Sequence, residues 1–277
     1  MLTSVNTNIG AMVALQNLNS TSSKLQETQN RISTGLKVAS AKDNGASYAI
    51  AQTQRSTVQS LNAVMDSLNR GTSAVDVAMS AGESVSDMLT QMKEKALAAS
   101  DTSLDTTSRS ALNTDFGALR DQITKTVANA KFNGINLLDG SIAGGLQILA
   151  NADGTSVLTV LAQTLSLDDG IVTLSASAAF TTPSSAGALL TTIDASINNV
   201  SAALAKLGTA AKAVEAHATF ITKLQDSIQA GIGNIVDADM AKESALLQAL
   251  QTKQQLGVQA LSIANQAPQT ALSLFQG

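Results

Sequence analysis

The search for chemistry in this 277-residue chain begins at His217, its single histidine, and at the acid pair Asp237 and Asp239. General acid–base catalysis needs partners within hydrogen-bond reach of the transferred proton. His217 lies in KAVEAHATFI, inside a run of helical periodicity that sets no such partner beside it. It is expected to be one polar residue on a helix face. Asp237 and Asp239 stand in IVDADMA, just before an apolar-periodic run. Two acids there are expected to be caps that complement a helix dipole rather than a catalytic pair. Gly231 and Gly233 come nearest to a phosphate-cradling GxGxxG, but Val236 fills the third position. The chain has no cysteine, which removes thiolate catalysis, disulfides and cysteine metal sites together. The expectation is no enzyme, no cofactor and no metal.

Composition points away from several other classes. Apolar residues make up 44%, yet aromatics only 2%, with five Phe, one Tyr and no Trp. Large aromatics ordinarily dominate rounded cores, so small and aliphatic side chains must be buried here, as along closely packed helices. A net charge of -4 lacks the clustered positive charge that phosphate backbones require, so no nucleic acid partner is expected. No stretch approaches the roughly 18 apolar residues of a membrane span. The N-terminus lacks the basic region and continuous apolar core of a cleaved signal.

Heptad spacing is the dominant pattern. Leu15, Leu18, Leu25, Ile32 and Leu36 fall on alternating three- and four-residue steps, with Ser22 and Gln29 in the gaps. Near the other end Leu246, Ala249, Leu256, Ala260, Ile263 and Ala267 follow the same rule, broken at Lys253, with Leu250 alongside. Two such seams predict an antiparallel pair made by the ends of the chain. Between them, Gly45 to Ala99 reads as one helix, with Val58, Leu61, Met65, Leu68, Val75 and Met79 in register and a Ser40–Asp43 capping box before it. Leu112, Phe116, Leu119, Ile123 and Val127 mark a shorter helix. From Ile193 to Ile235 one register is held with Gln225 as its polar gap, the signature of a long bundle helix. Between about 133 and 182, LQIL-ANADG-TSVLTV and TLSL-DDG-IVTLS pair short apolar runs across Asp153-Gly154 and Asp169-Gly170. These predict two hairpins capping one end of a helical rod. The fold class is therefore mainly α: a long helical bundle or coiled-coil rod with a small β-hairpin region.

The terminal seams admit an intramolecular coiled coil or packing between subunits of a polymer. Closing a loop of this length costs about 5 kcal/mol, and an isolated pair of narrow, alanine-rich helices is marginal. Both arguments favour neighbours that supply further contacts.

Four stretches carry a resemblance: NTNIGAMVALQNL, RISTGLKVASAKDNGASYAIA, KFNGINLL and DADMAKESALLQALQTKQQLGVQALSIANQAPQTALSLF. In this order they resemble bacterial flagellin, over roughly the first 140 and last 85 residues. With so short a middle, the chain resembles a minimal flagellin holding only the two inner domains. The resemblance implies a terminal coiled-coil domain from 1–40 with 238–277, and a helical rod domain with hairpins from 41–237. It implies a secreted structural subunit that self-assembles, alone or with paralogous flagellins, into the hollow helical filament that drives motility. Leu15, Leu18, Leu25, Ile32, Leu36, Leu246, Leu250, Leu256 and Ile263 are then the expected self-assembly residues. Partners implied are the type III flagellar export apparatus and a chaperone, the filament cap and the hook–filament junction proteins. A hook–filament junction protein is the alternative within the family, and a coiled-coil secretion translocator or adaptor the alternative outside it.

Two smaller expectations follow from the same resemblance. Flagellins are often O-glycosylated on outer residues, which makes Ser175, Ser177, Thr181, Thr182, Ser184 and Ser185 candidates. Many carry a patch resembling LQRxRxLxxQ that a Toll-like receptor reads. The matching positions here are Leu89, Gln91, Lys93, Lys95 and Ala98, where only Leu89 fits and Lys93 keeps the charge.

Overall fold

The computed structural model describes residues 7–273. The outermost residues of the expected terminal domain, and the side chain of Ala267, lie outside the described ones. Five helices and two small hairpins follow in the order α1 (Ile9–Thr34), α2 (Gly45–Ala99), α3 (Thr106–Asn129), β1 (Lys131–Phe132), β2 (Ile135–Asn136), β3 (Leu146–Leu149), β4 (Val157–Val160), α4 (Pro183–Val236) and α5 (Met240–Ser273). Packing divides them into two compact units. One takes the ends of the chain, up to Ser56 and from Ser227; the other is Thr57–Asp226.

In the first unit α1 and α5 run antiparallel. Asn8 donates Nδ2–H to Ala264 O at 2.7 Å near one end, and Arg31 Nη1 reaches Glu243 Oε1 at 3.1 Å near the other. Helix α1 opens on Asn8, whose side chain accepts from Ala11 N–H, and stops at Gly35. Gly35 is left-handed, with φ 71°, a conformation that glycine adopts without steric cost. The chain then makes a single antiparallel bridge, Leu36 to Asp237, with Lys37 N–H donating to Val236 O at 2.7 Å and Ala238 N–H to Gly35 O at 2.9 Å.

Helix α2 spans the expected residues, but its cap differs. Asp43 does reach back to the Ser40 N–H at 2.8 Å. The helix proper starts on Asn44, whose Oδ1 accepts from Ser47 N–H at 3.0 Å. A short amide one residue before the first turn satisfies the orphan donors; Asp43 sits one residue too early and braces the loop instead.

The second unit is a bundle of α2, α3 and α4. Gln225 donates to Asn62 Oδ1 at 2.8 Å, and Lys93 pairs with Asp194 at 2.6 Å, which fixes α4 antiparallel to α2. Leu61, Val64, Leu68, Val75, Val85, Leu89 and Met92 of α2 are buried with Ile193, Val200, Leu207, Val214 and Ile221 of α4. Phe116 of α3 meets Phe180 edge-on at 5.2 Å.

The β-region runs alongside the helices instead of capping one end. Ile148 of β3 packs on Gly71, Leu165 lies beside Gly82, and Phe180 N–H donates to Asn113 Oδ1 at 2.8 Å. The first expected hairpin forms as β3–β4, Leu146 opposite Val160 through Leu149 opposite Val157. The second does not; only a lone parallel bridge, Leu167 to Val172, is made. Its ladder groups are spent on α4: Thr173 N–H donates to Ser196 Oγ at 3.2 Å, and Asn199 Nδ2–H to Ile171 O at 3.1 Å. A hairpin not expected, β1–β2, turns instead at Asn133-Gly134, with φ 49° and 80°. Positive φ at both positions is the type I′ turn that Asn-Gly favours.

Candidate assembly surface

The residues that could do chemistry are all engaged structurally. His217 is half-buried, and its Nε2 lies 2.7 Å from Ala150 O; a carbonyl only accepts, so Nε2 carries the proton. Asp239 caps α5, accepting from Ala241 and Lys242 N–H at 3.1 Å each. Asp237 does not share this role. Its backbone makes the bridge to Leu36, and its carboxylate lies beside Gly233. Among the described residues no cluster of three His, Cys, Asp or Glu side chains could hold a metal ion, and no helix is long and apolar enough to cross a membrane.

What α1 and α5 offer is surface. The face of α1 turned to α5 is Ala11, Ala14, Leu18, Thr21, Leu25, Thr28 and Ile32, all buried or half-buried. The facing stripe of α5 is Glu243, Leu247, Leu250, Gln254, Gly257, Leu261 and Ala264. Both are heptad stripes. Leu18, Leu25 and Ile32 of the expected α1 seam fall on the inner stripe of α1, Leu250 falls on that of α5 although the expected α5 seam did not include it, and Leu36 is half-buried just beyond α1.

Leu15, Leu246, Leu256 and Ile263 do not belong to the inner seam; Leu256 is 59% exposed and Ile263 69%. The expected seam of α5 is thus displaced by one residue from the stripe that meets α1. It is an outer stripe of Leu246, Ala249, Leu256, Ala260 and Ile263, adjoining the inner one. The inner stripe is the less apolar of the two because it contains Glu243, Gln254 and Gly257, and on α1 Thr21 and Thr28. Three of them are accommodated visibly. Thr21 turns its hydroxyl to Asn17 O at 2.8 Å, leaving its methyl to the seam. Gly257 lets Leu18 approach until an added Cβ would stand 3.2 Å from Leu18 Cδ1. Gln254 lies 3.4 Å from Ser22 Oγ. A threonine recurring every seven residues beside leucine was the signal available.

On α1, Ile9, Met12 and Val13 join Leu15 as exposed apolar side chains. Exposed apolar groups in this density mark an interaction surface. Charge is sparse within the pair. Arg31 is held between Glu27 at 2.6 Å and Glu243 at 3.1 Å, and Glu243 Oε2 is buried with no hydrogen-bond partner.

The remaining candidate residues lie in the second unit. Leu89 is fully buried, Lys93 is paired with Asp194, and Lys95 with Asp115 at 2.8 Å, while Gln91 and Ala98 are exposed. Thr182 and Ser185 cap α4 reciprocally: Ser185 N–H donates to Thr182 Oγ1 at 3.2 Å and Thr182 N–H to Ser185 Oγ at 3.1 Å. Ser175 Oγ donates to Asp168 Oδ2 at 3.3 Å and meets Ser177 Oγ at 3.1 Å. Thr181 and Ser184 are exposed. Sequence reasoning also missed Arg109, buried in α3, which donates to the carbonyls of Ala99, Asp101 and Leu104 at 2.8–3.0 Å and closes the C-terminus of α2.

Comparison with known proteins agrees with this arrangement. The bacterial flagellin N-terminal helical region matches residues 5–143, and the bacterial flagellin C-terminal helical region residues 190–275. Flagellin FljM of Caulobacter vibrioides is 57% identical over 99% of both chains. A flagellin of Brucella melitensis is 37% identical over the full length of both. In fold, a putative flagellar hook-associated protein from Vibrio parahaemolyticus superposes with a TM-score of 0.57, at 13% identity, over 70% of this chain and 100% of that one. With matched helical regions at both ends and full-length relatives of this identity, the chain belongs to the bacterial flagellin family and is a structural subunit of the flagellar filament.

Proposed function

We propose that this subunit polymerises by burying the outer stripes of α1 and α5 against neighbouring copies, with Leu15, Leu246, Leu256 and Ile263 as contacts. Leu18, Leu25, Ile32, Leu36 and Leu250 serve assembly indirectly, by holding the pair that presents them. The observation that carries the reading is the exposed heptad stripe on α5, adjoining one already used. The terminal domain in this reading is 1–40 with 238–277, and 41–237 is the helical rod domain with hairpins. The helix ends around the Leu36–Asp237 bridge support that boundary, while packing alone divides the chain farther in, after Ser56 and before Ser227. Negative-stain microscopy of the purified chain tests it: long tubes are expected, whereas discrete short oligomers or monomers would favour a junction protein or an adaptor.

The subunit acts outside the cell and catalyses nothing. It reaches its place through the flagellar export apparatus with a chaperone, and is placed beneath a cap on junction proteins. These partners rest on family membership. Membrane insertion and nucleic acid play no part.

Receptor signalling is expected to be weak. Of the patch positions, Leu89 is buried and both lysines are already paired within the chain. Planar arginine contacts are also missing. A reporter-cell assay reads this directly, and full activity would overturn it. Of the six hydroxyls proposed for glycans, Thr181 and Ser184 are favoured because they are exposed and their hydroxyls take no part in the Thr182–Ser185 cap. An intact mass above 28.2 kDa on native filament is the expected sign.

A further inference from the structure

The second unit carries an apolar patch that its own fold does not need. In β3 and β4 alternate residues point opposite ways. Ile148 and Val160 are buried against the helices, while the directly opposed pair Leu149 and Val157 is 39% and 47% exposed. A solvent-facing strand position ordinarily takes a polar residue. Beside them stands Phe220 of α4, 55% exposed. The neighbourhood is fixed by His217, which donates to Ala150 O, next to Leu149, and whose ring lies 5.9 Å from that of Phe220. Phe116 and Phe180 make a core contact, whereas Phe220 is left to solvent, linked through His217 to the strand that carries Leu149.

We propose that Leu149, Val157 and Phe220 contact a second copy of this chain and seat in the groove between its α2 and α3. The proposal rests on the filament reading and names one contact within it. The groove holds about 340 Å³. Its less exposed lining is Val77, Ala81, Thr126 and Ala130, and its rim carries Gln122, Lys125 and Asn129. That is an open, shallow depression with apolar side chains in its base, against which the face of a phenyl ring can lie, and one cation placed to face the negative surface of the ring. Patch and groove are different surfaces of the same unit. Contact between different surfaces leaves each copy a free surface for the next, and where the rotation does not close a ring it propagates as an open helical polymer.

Because the chain has no cysteine, paired thiols report the contact cleanly. A Phe220→Cys chain and a Gln122→Cys chain, co-assembled and mildly oxidised, are expected to give a disulfide-linked dimer in the polymer and none in dilute monomer. A Phe220→Ser, Val157→Thr chain is expected to keep its helical circular dichroism, since both residues are exposed. Its critical concentration for assembly should rise about tenfold or more, as for loss of an interface aromatic. A polymer without the 220–122 link, a 220–220 link in its place, or an unchanged critical concentration would overturn the proposal while leaving the filament reading intact. Failure of the unaltered chain to polymerise would overturn both.

Discussion

Arg31 of α1 donates to Glu243 of α5 at 3.1 Å while the same guanidinium holds Glu27 at 2.6 Å, so one cation ties the last turn of one helix to the first turn of the other. Glu243 is buried and Arg31 partly so, and removing the cation strands a carboxylate. Arg31→Met is expected to destabilise the α1–α5 pair by about 2 kcal/mol or more. The check is the thermal dissociation temperature of the polymer, which should fall. An unchanged temperature would mean that the pair is not held by this contact.

The two stripes of α5 make different contacts in the assembled chain, one within the α1–α5 pair and one to neighbouring copies. Leu250 is 6% exposed, and Leu250→Ala should cost the α1–α5 pair about 2–5 kcal/mol. Leu256 is exposed, so Leu256→Ala should leave monomer hydrogen exchange unaltered and raise the critical concentration for assembly. In the unaltered monomer, amides of α1 and α5 are expected to exchange fast and to become protected on polymerisation, as for segments that order when neighbours bury them. Slow exchange at both ends of the free monomer would refute this coupling.

Gly71 is a contact, not a hinge. A methyl group there would overlap Cδ1 and Cγ1 of Ile148, so Gly71→Ala should destabilise the second unit by about 1–3 kcal/mol through overpacking. Adding Ile148→Val removes Cδ1 and is expected to recover part of the loss. The denaturant midpoints of the three chains decide it, and equal midpoints for Gly71→Ala and the parent would contradict the packing.

Asp105 caps α3, accepting from the backbone N–H and hydroxyl of Ser108 and from Thr107 N–H at 2.7–2.9 Å. The Ser108 hydroxyl and backbone bonds hold its carboxyl below the ordinary 3.8. Because the folded value is the lower one, the contribution is present in full above the unfolded value near 3.9. It is lost as pH falls through the folded value. Asp105→Ala should lower the melting temperature at neutral pH through loss of the cap, with the difference from the parent shrinking below pH about 4. Melting temperatures of the two chains across that range are the measurement, and a gap that widens in acid would reverse the assignment.

How much of this was legible follows from which signals were periodic. Helices α2, α3 and α4 stood in the sequence because Leu61, Leu68 and Val75, or Val200, Leu207 and Val214, repeat one register over many turns. The inner seam of α5 was misread because its outer neighbour is the more apolar stripe. Burial there is set by what α1 can accept, Gly257 under Leu18 and Glu243 against Arg31, not by hydropathy. Asp169-Gly170 was expected to turn a hairpin, but Ser196 and Asn199 of α4 claimed the strand's polar groups first. Arg109 gave no signal, since its carbonyl partners belong to the backbone and have no side-chain signature.

The one-residue offset between the two stripes of α5 bears on how large an assembly this chain can make. Successive residues of a helix are turned by about 100°, so a single flat partner cannot cover both stripes. A copy that docks on the outer stripe through a different surface brings an outer stripe of its own, and uncovers as much greasy surface as it hides. No arrival is the last one. Nothing in α5 counts copies or rewards a particular number of them, so the length of the assembled object is left to the supply of subunits.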